Sequence, residues 1–155
     1  MANPEQLSAL RQGPEAWNRW RAANPQMRAD FRGADLSGMD LSGADLQGAN
    51  LMGAALRGTG LAGVDLSRSK LVSADLRSSK LVGADLSEAK FEGADLAGAD
   101  LREAKLVGAE LKGADLSSLS MAEADLSGAT LTRADLTGSE LRGAKLRGAD
   151  LRMAR

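Results

Sequence analysis

The chain has 155 residues with 18 Gly, no Cys, no His and no Tyr, and its 20 basic and 21 acidic side chains leave a formal charge of −1. Without Cys or His there are no disulfides, thiolate or imidazole metal ligands, Ser-His-Asp or Cys-His nucleophiles, or imidazole pH switch. Two Phe and two Trp are too few large rings for an ordinary globular core, although 43% of residues are hydrophobic, so the core must be aliphatic and repetitive.

The length suits one domain. Near-neutral charge removes bulk electrostatics as a route to nucleic acid or anionic membrane. No run reaches the roughly 18 apolar residues of a membrane span, and the opening MANPEQLSALRQ lacks a basic-then-apolar signal pattern. The expected compartment is the cytoplasm, with no direct binding to nucleic acid or membrane.

Residues 1–28 read as two short helices. Pro4 can start the first, Leu7 and Leu10 share a face, and Gly13 ends it before Pro14 starts the second. Trp17 and Trp20 lie three apart on the second helix, which Asn24-Pro25 closes. Both rings are expected to cover the start of the following segment at Phe31, because an open repeat end exposes strand edges and apolar side chains. A ligand-stacking role for the Trp pair is the alternative.

From Ala29 to Arg155 the sequence repeats every five residues, as in GADLS, GADLQ and GAKLR. The central position, i, runs from Phe31 to Leu151 through 25 units, with 22 Leu, Phe31, Phe91 and Met121. Position i−2 is mostly Ala, i−1 most often Asp, and i+2 is Gly in 16 units. A period of five suits neither a helix nor a continuous strand, since both would scatter the Leu residues around the axis or onto alternate faces. It suits a backbone that bends once per unit, with i and i−2 inward and Gly at the corner adopting the positive φ of a type II turn. Arg68, Ser73, Ser78, Glu88, Glu103, Ser118, Glu123, Arg133 and Met153 replace that Gly, and these nine corners are expected to use a different turn. Residues 54–63, where Ala55 and Gly60 lack a turn-supporting side chain, are expected to be the most mobile stretch of the repeat.

The number of units per coil follows from the residues that replace Ala at i−2. Five of the seven, Met39, Thr59, Ser79, Leu119 and Ser139, fall in one column when units are sorted by four, and sorting by three or five scatters them. Four units make a 20-residue coil, and about six coils stack into a prism about 30 Å long at the usual strand spacing. At the far end the repeat continues through Met153-Ala154-Arg155, so the last coil, with Leu136, Leu141, Leu146 and Leu151, has no helix over it. A homodimer joined through this end is expected, and a chain cut from a longer protein would look the same.

The A-(D/N)-L-x-x units closely resemble the pentapeptide-repeat family, and GPEAWNRWRAANPQMRADFRGADL resembles the lead-in of a bacterial subgroup. The resemblance implies an all-β solenoid, a right-handed quadrilateral β-helix over residues 29–155, with a helical N-terminal cap over 1–28. It also implies a non-enzymatic protein. The residues agree: the 13 repeat Asp stand beside turns and are expected to accept backbone N–H bonds. Lys70, Lys80, Lys90, Lys105 and Lys145 occupy the same outer position, and every repeat Gly but Gly60 sits at a corner rather than in a phosphate loop. No catalytic site, metal or cofactor is expected.

Two walls of the prism stand out as partner surfaces. The wall headed by Phe31 nets +2, carries Lys70 and Lys90, and places Met52 and Val72 outward in one column. These four residues are the expected contacts for an unidentified protein partner on a scaffold. On this wall Lys90 should pair with Glu110, and Glu92 with Lys112, one coil apart. The next wall carries the acidic stripe Asp35, Asp75, Asp95, Asp115 and Asp135. Some family members that protect DNA gyrase from quinolones resemble a DNA duplex in width and charge, and in this chain that stripe would take the role. The repeat as a whole nets only −3, with 19 acidic and 16 basic residues, which places DNA mimicry second to the scaffold.

Overall fold

One turn per five residues organises the whole repeat. The computed structural model describes residues 2–155. All 25 residues at i+2, from Gly33 to Met153, have φ between 56° and 71°. At every one of these corners the N–H of residue i+3 donates to the carbonyl of the central residue. The nine corners without Gly therefore use the same left-handed conformation as the sixteen with it, and the expectation of a second turn type is corrected. A side chain in that region costs about 1–2 kcal/mol, and the ladder on both sides of each corner holds it there.

Between corners, each coil is joined to the next by parallel single-residue bridges, and all 20 of them link residues 20 apart, as in Asp30 with Asn50 and Lys70 with Lys90. The 20-residue period inferred from the i−2 residues is thus the pairing register. The described residues contain no extended strand, only single-residue bridges. The cause is the corner spacing: only the residue at i−1 is left to bridge before the chain turns again. The central residues from Phe31 to Leu131 are all buried, with Ala at most i−2 positions beside them.

The helices, α1 (Pro4–Arg11) and α2 (Pro14–Ala23), close the first coil. Asn3 caps α1 by accepting from the amides of Glu5 and Gln6. Trp17 is fully buried, stacks on Trp20 at 5.2 Å and meets Phe31 edge-on at 5.2 Å. Core packing is therefore what the Trp pair does. The cap also supplies hydrogen bonds that a preceding coil would have made. Gln6 is buried, accepts from the Asp30 amide at 2.7 Å and donates to the Arg28 carbonyl at 2.9 Å. Asn18 accepts from the Asp45 amide at 2.8 Å and donates to the Gly43 carbonyl, while Trp17 Nε1 donates to the Asp45 carbonyl. At the opposite end Leu136, Leu141 and Leu146 are half-buried and Leu151 is 40% exposed.

The coil-to-coil ladder is continuous at residues 54–63, and its one breach lies elsewhere. Gly93, Leu96 and Gly98 do not donate to Lys112, Asp115 and Ser117, nor do Asp115 and Ser120 donate to Ala94 and Ala99, although the equivalent bonds form between the other described coils. A cleft of about 250 Å³ opens there, lined by Ala94, Asp95, Leu96, Ala97, Asp115 and Ser117. Phe91, Leu119 and Met121 bring extra or differently shaped side chains into the two adjacent coils that part, whereas Phe31 and Met39 lie in the first coil beneath the helical cap. Close-packed interiors do not absorb extra volume without a shift, and the coils separate on this wall. Amides of Leu96, Gly98 and Asp115 should therefore exchange with deuterium faster than those of Leu56, Leu76 and Asp75, and Phe91→Leu should restore their protection. Equal protection in the native chain would contradict this reading of the breach.

Candidate functional site

The acidic wall is built by the same local rule as the rest of the repeat. The carboxylate of each of the 13 repeat Asp accepts the amide N–H two residues on, at 2.9–3.2 Å. Asn50 accepts from Met52 in the same way. These Asp are turn residues, as their position beside the corner led us to expect, and they remain exposed or half-exposed on the outside.

Asp35, Asp75, Asp95, Asp115 and Asp135 do line one wall, since the 20-residue register stacks Asp75 beside Asp95 and Asp115 beside Asp135. Their charge is partly cancelled. Arg77 forms a bidentate pair with Asp75 and reaches Asp95 at 3.5 Å, and Arg155 pairs with Asp135 at 3.2 Å. Of these five, only Asp35 and Asp115 lack a cation within 4 Å among the described residues. The breach further separates Asp95 from Asp115.

On the Phe31 wall, Met52 is 41% exposed, and Val72 follows it in the same column half-buried. Lys70 and Lys90 bridge directly, placing two like charges in neighbouring coils. Lys90 is compensated by Glu110 at 2.9 Å, as the register predicts. The companion pair of Glu92 with Lys112 does not form. Its two residues flank the missing Gly93–Lys112 hydrogen bond, so the parting of the coils takes them out of reach.

Inside the prism, the irregular i−2 column is a packing feature. Thr59 and Ser139 return their hydroxyls to the Leu36 and Leu136 carbonyls, whereas the buried hydroxyls of Ser79 in the same column and Ser69 outside it have no partner. No group of His, Cys, Asp or Glu side chains with metal-binding geometry occurs among the described residues. Among the described residues no helix is long and apolar enough to cross a membrane.

A family model described as pentapeptide repeats matches eight copies, over residues 27–60, 49–87, 60–96, 79–118 and 120–152. The chain belongs to the pentapeptide-repeat family. Among solved structures, a trypsin-treated form of QnrB1, a plasmid-mediated fluoroquinolone resistance protein, is similar with a TM-score of 0.77 and 25% identity, over 81% of this chain and 64% of that one. The pentapeptide-repeat protein Rfr23 from the cyanobacterium Cyanothece 51142 has a TM-score of 0.54 and 24% identity, over 83% of this chain and 97% of its own. This pentapeptide-repeat chain thus spans less than two thirds of the QnrB1 chain it matches. No curated protein matches. The family and these neighbours imply a right-handed β-helix solenoid.

The turn carboxylates make the solenoid sensitive to acid. The Arg77 guanidinium and its backbone N–H hold Asp75 at about 2, against partial burial that acts the other way. Side-chain and backbone donors at Ser117 and Thr137 likewise lower Asp115 and Asp135. A carboxyl lowered on folding contributes stability that is complete above its unfolded pKa near 3.9 and is lost as pH falls through the folded value. The thermal midpoint should therefore change little from pH 7 to about pH 4.5, then drop toward pH 2, and Asp75→Asn should flatten the drop. A midpoint independent of pH below 4 would contradict this assignment.

Proposed function

We propose that this chain is a non-enzymatic scaffold: a right-handed quadrilateral β-helix of about six coils that holds another protein against one flat wall, in the cytoplasm and without a cofactor. The observation that carries this reading is the exposed Met52 above Val72 in one column, flanked by Lys70. Apolar side chains on a rigid, otherwise polar wall give a partner area to bury, and nearby cations favour one that is acidic. The open last coil supports a homodimer through Leu136, Leu141, Leu146 and Leu151. Light scattering would then give twice the 16.1 kDa of one chain, and a monomer mass would remove the dimer.

A second reading is DNA mimicry toward DNA gyrase. It is supported by the likeness to QnrB1 at 25% identity and by the stacked Asp column. Against it stand the Arg77 and Arg155 pairs. A single Asp per coil, at about 4.8 Å spacing, is also sparser than the charge every ~1.7 Å along duplex DNA.

One set of variants separates the two readings. On the scaffold reading, Met52→Ser with Val72→Ser loses the partner recovered by affinity capture with the native chain, and gyrase supercoiling is unaffected by added protein. On the mimic reading, the native chain alters supercoiling and reversal of Asp75, Asp95 and Asp115 to Lys abolishes the effect. Retention of the same partner by the Met52/Val72 variant would overturn the scaffold contact proposed here.

A further inference from the structure

Where the chain leaves α2 and enters the repeat, it crosses the edge between two walls and leaves a cleft of about 440 Å³. Four cations line it: Arg21 from α2, Arg28 from the entering segment, Arg68 at the end of the second coil and Lys70 at the start of the third. A smaller recess of about 170 Å³ adjoins it and shares Arg28 and Lys70. No sequence pattern joins these residues. The 20-residue register and the path of the cap bring them together.

The cations are only partly compensated. Arg68 pairs with Glu88 at 3.1 Å, and Arg21 has Asp45 at 3.6 Å. Asp30, in the recess, is occupied by Arg32 at 2.7 Å. Arg28 and Lys70 have no carboxylate within 4 Å among the described residues. Four cations against Asp45 and Glu88 leave an excess of two positive charges. One Arg21 donor reaches the Met27 carbonyl at 2.7 Å, and its Nε faces Asp45 Oδ2 at 3.6 Å, an ion pair too long for a hydrogen bond.

The other basic cleft makes an instructive contrast. Lys112, Arg133 and Arg152 gather near the far end of the Phe31 wall, but Glu92, Glu110 and Asp150 stand among them. Glu110 is taken up by Lys90 at 2.9 Å, so that cluster keeps one positive charge in excess, against two beside the cap.

We propose that the cleft formed by Arg21, Arg28, Arg68 and Lys70 is a binding site for a phosphate group carrying two negative charges. Guanidinium forks match the oxygens of phosphate and can bind two at once, and Lys70 adds a point charge. The phosphate can be free or carried on a peptide, since the cleft opens to solvent beside exposed Met27. This inference does not rest on the scaffold reading, and its test uses no protein partner.

The full chain is titrated with inorganic phosphate and, separately, with a short phosphoserine peptide and its unphosphorylated form, following amide shifts by NMR at low ionic strength. Saturable shifts are expected at Arg28, Gly48 and Lys70. Tighter binding of the phosphopeptide assigns a carried phosphate, and equal or tighter binding of inorganic phosphate assigns a free one. Arg28→Gln with Lys70→Gln, both at exposed positions, should weaken binding at least ten-fold with the fold retained, and Lys112→Gln should change nothing. Absence of saturation with either phosphate, equal shifts around Lys112 and Arg133, or a double variant that binds as the native chain does would overturn the proposal.

Discussion

The structure depends on one geometric requirement: the backbone must turn left-handed every fifth residue and still place each amide opposite a carbonyl about 20 residues away. The Leu36 amide reaching the Ala55 carbonyl and the Ala55 amide reaching the Ala34 carbonyl are one instance. Nearly every compositional feature follows from it. Leu and Ala fill the narrow interior, with Phe at only two of the 25 centres, and Gly relieves most corners. Asp occupies the outer i−1 position because its carboxylate takes the amide that the turn leaves facing outward. Where Lys replaces Asp, the turn persists without that bond, because the ladder above and below already fixes it.

Much of this was legible in the sequence, because a short period leaves few solutions. The apolar centres, the Gly column and the clustering of Met39, Thr59, Ser79, Leu119 and Ser139 together gave the corner and the 20-residue register. What could not be read concerned competition between neighbours. Arg68 and Glu88 looked like signals for another turn, yet stacking overrode the steric cost and they adopt φ of 59° and 58°. Gln6 and Asn18 belong to no sequence pattern, and their bonds to Asp30 and Asp45 depend on how the cap docks. The breach beside Asp95 and Asp115 arises from volume in two adjacent coils, a quantity that no single column of the repeat reveals.

The same geometry shapes what the surface offers. Because residues 20 apart are neighbours, charges scattered along the chain become columns. A column is acidic, basic or neutral according to what the repeat happens to place in it. Arg77 between Asp75 and Asp95 quenches one such column, while the cap entry leaves four cations together with too few carboxylates. Near-neutral composition therefore conceals local imbalance, and it is at those imbalances that binding is best sought. The Met52 and Val72 column offers apolar contact, and the cap-side cleft offers a site for phosphate.

The 20-residue register can be tested directly, because the chain has no Cys of its own. Ser67→Cys with Ser87→Cys places two thiols on the same outer column one coil apart, with their Cα atoms about 5 Å from each other. Mild oxidation should cross-link this pair rapidly within one chain. Ser67→Cys paired with Val82→Cys or with Glu92→Cys, offset by one unit either way, should not cross-link. Preferential cross-linking of either offset pair would contradict a coil of four units and the wall assignments built on it.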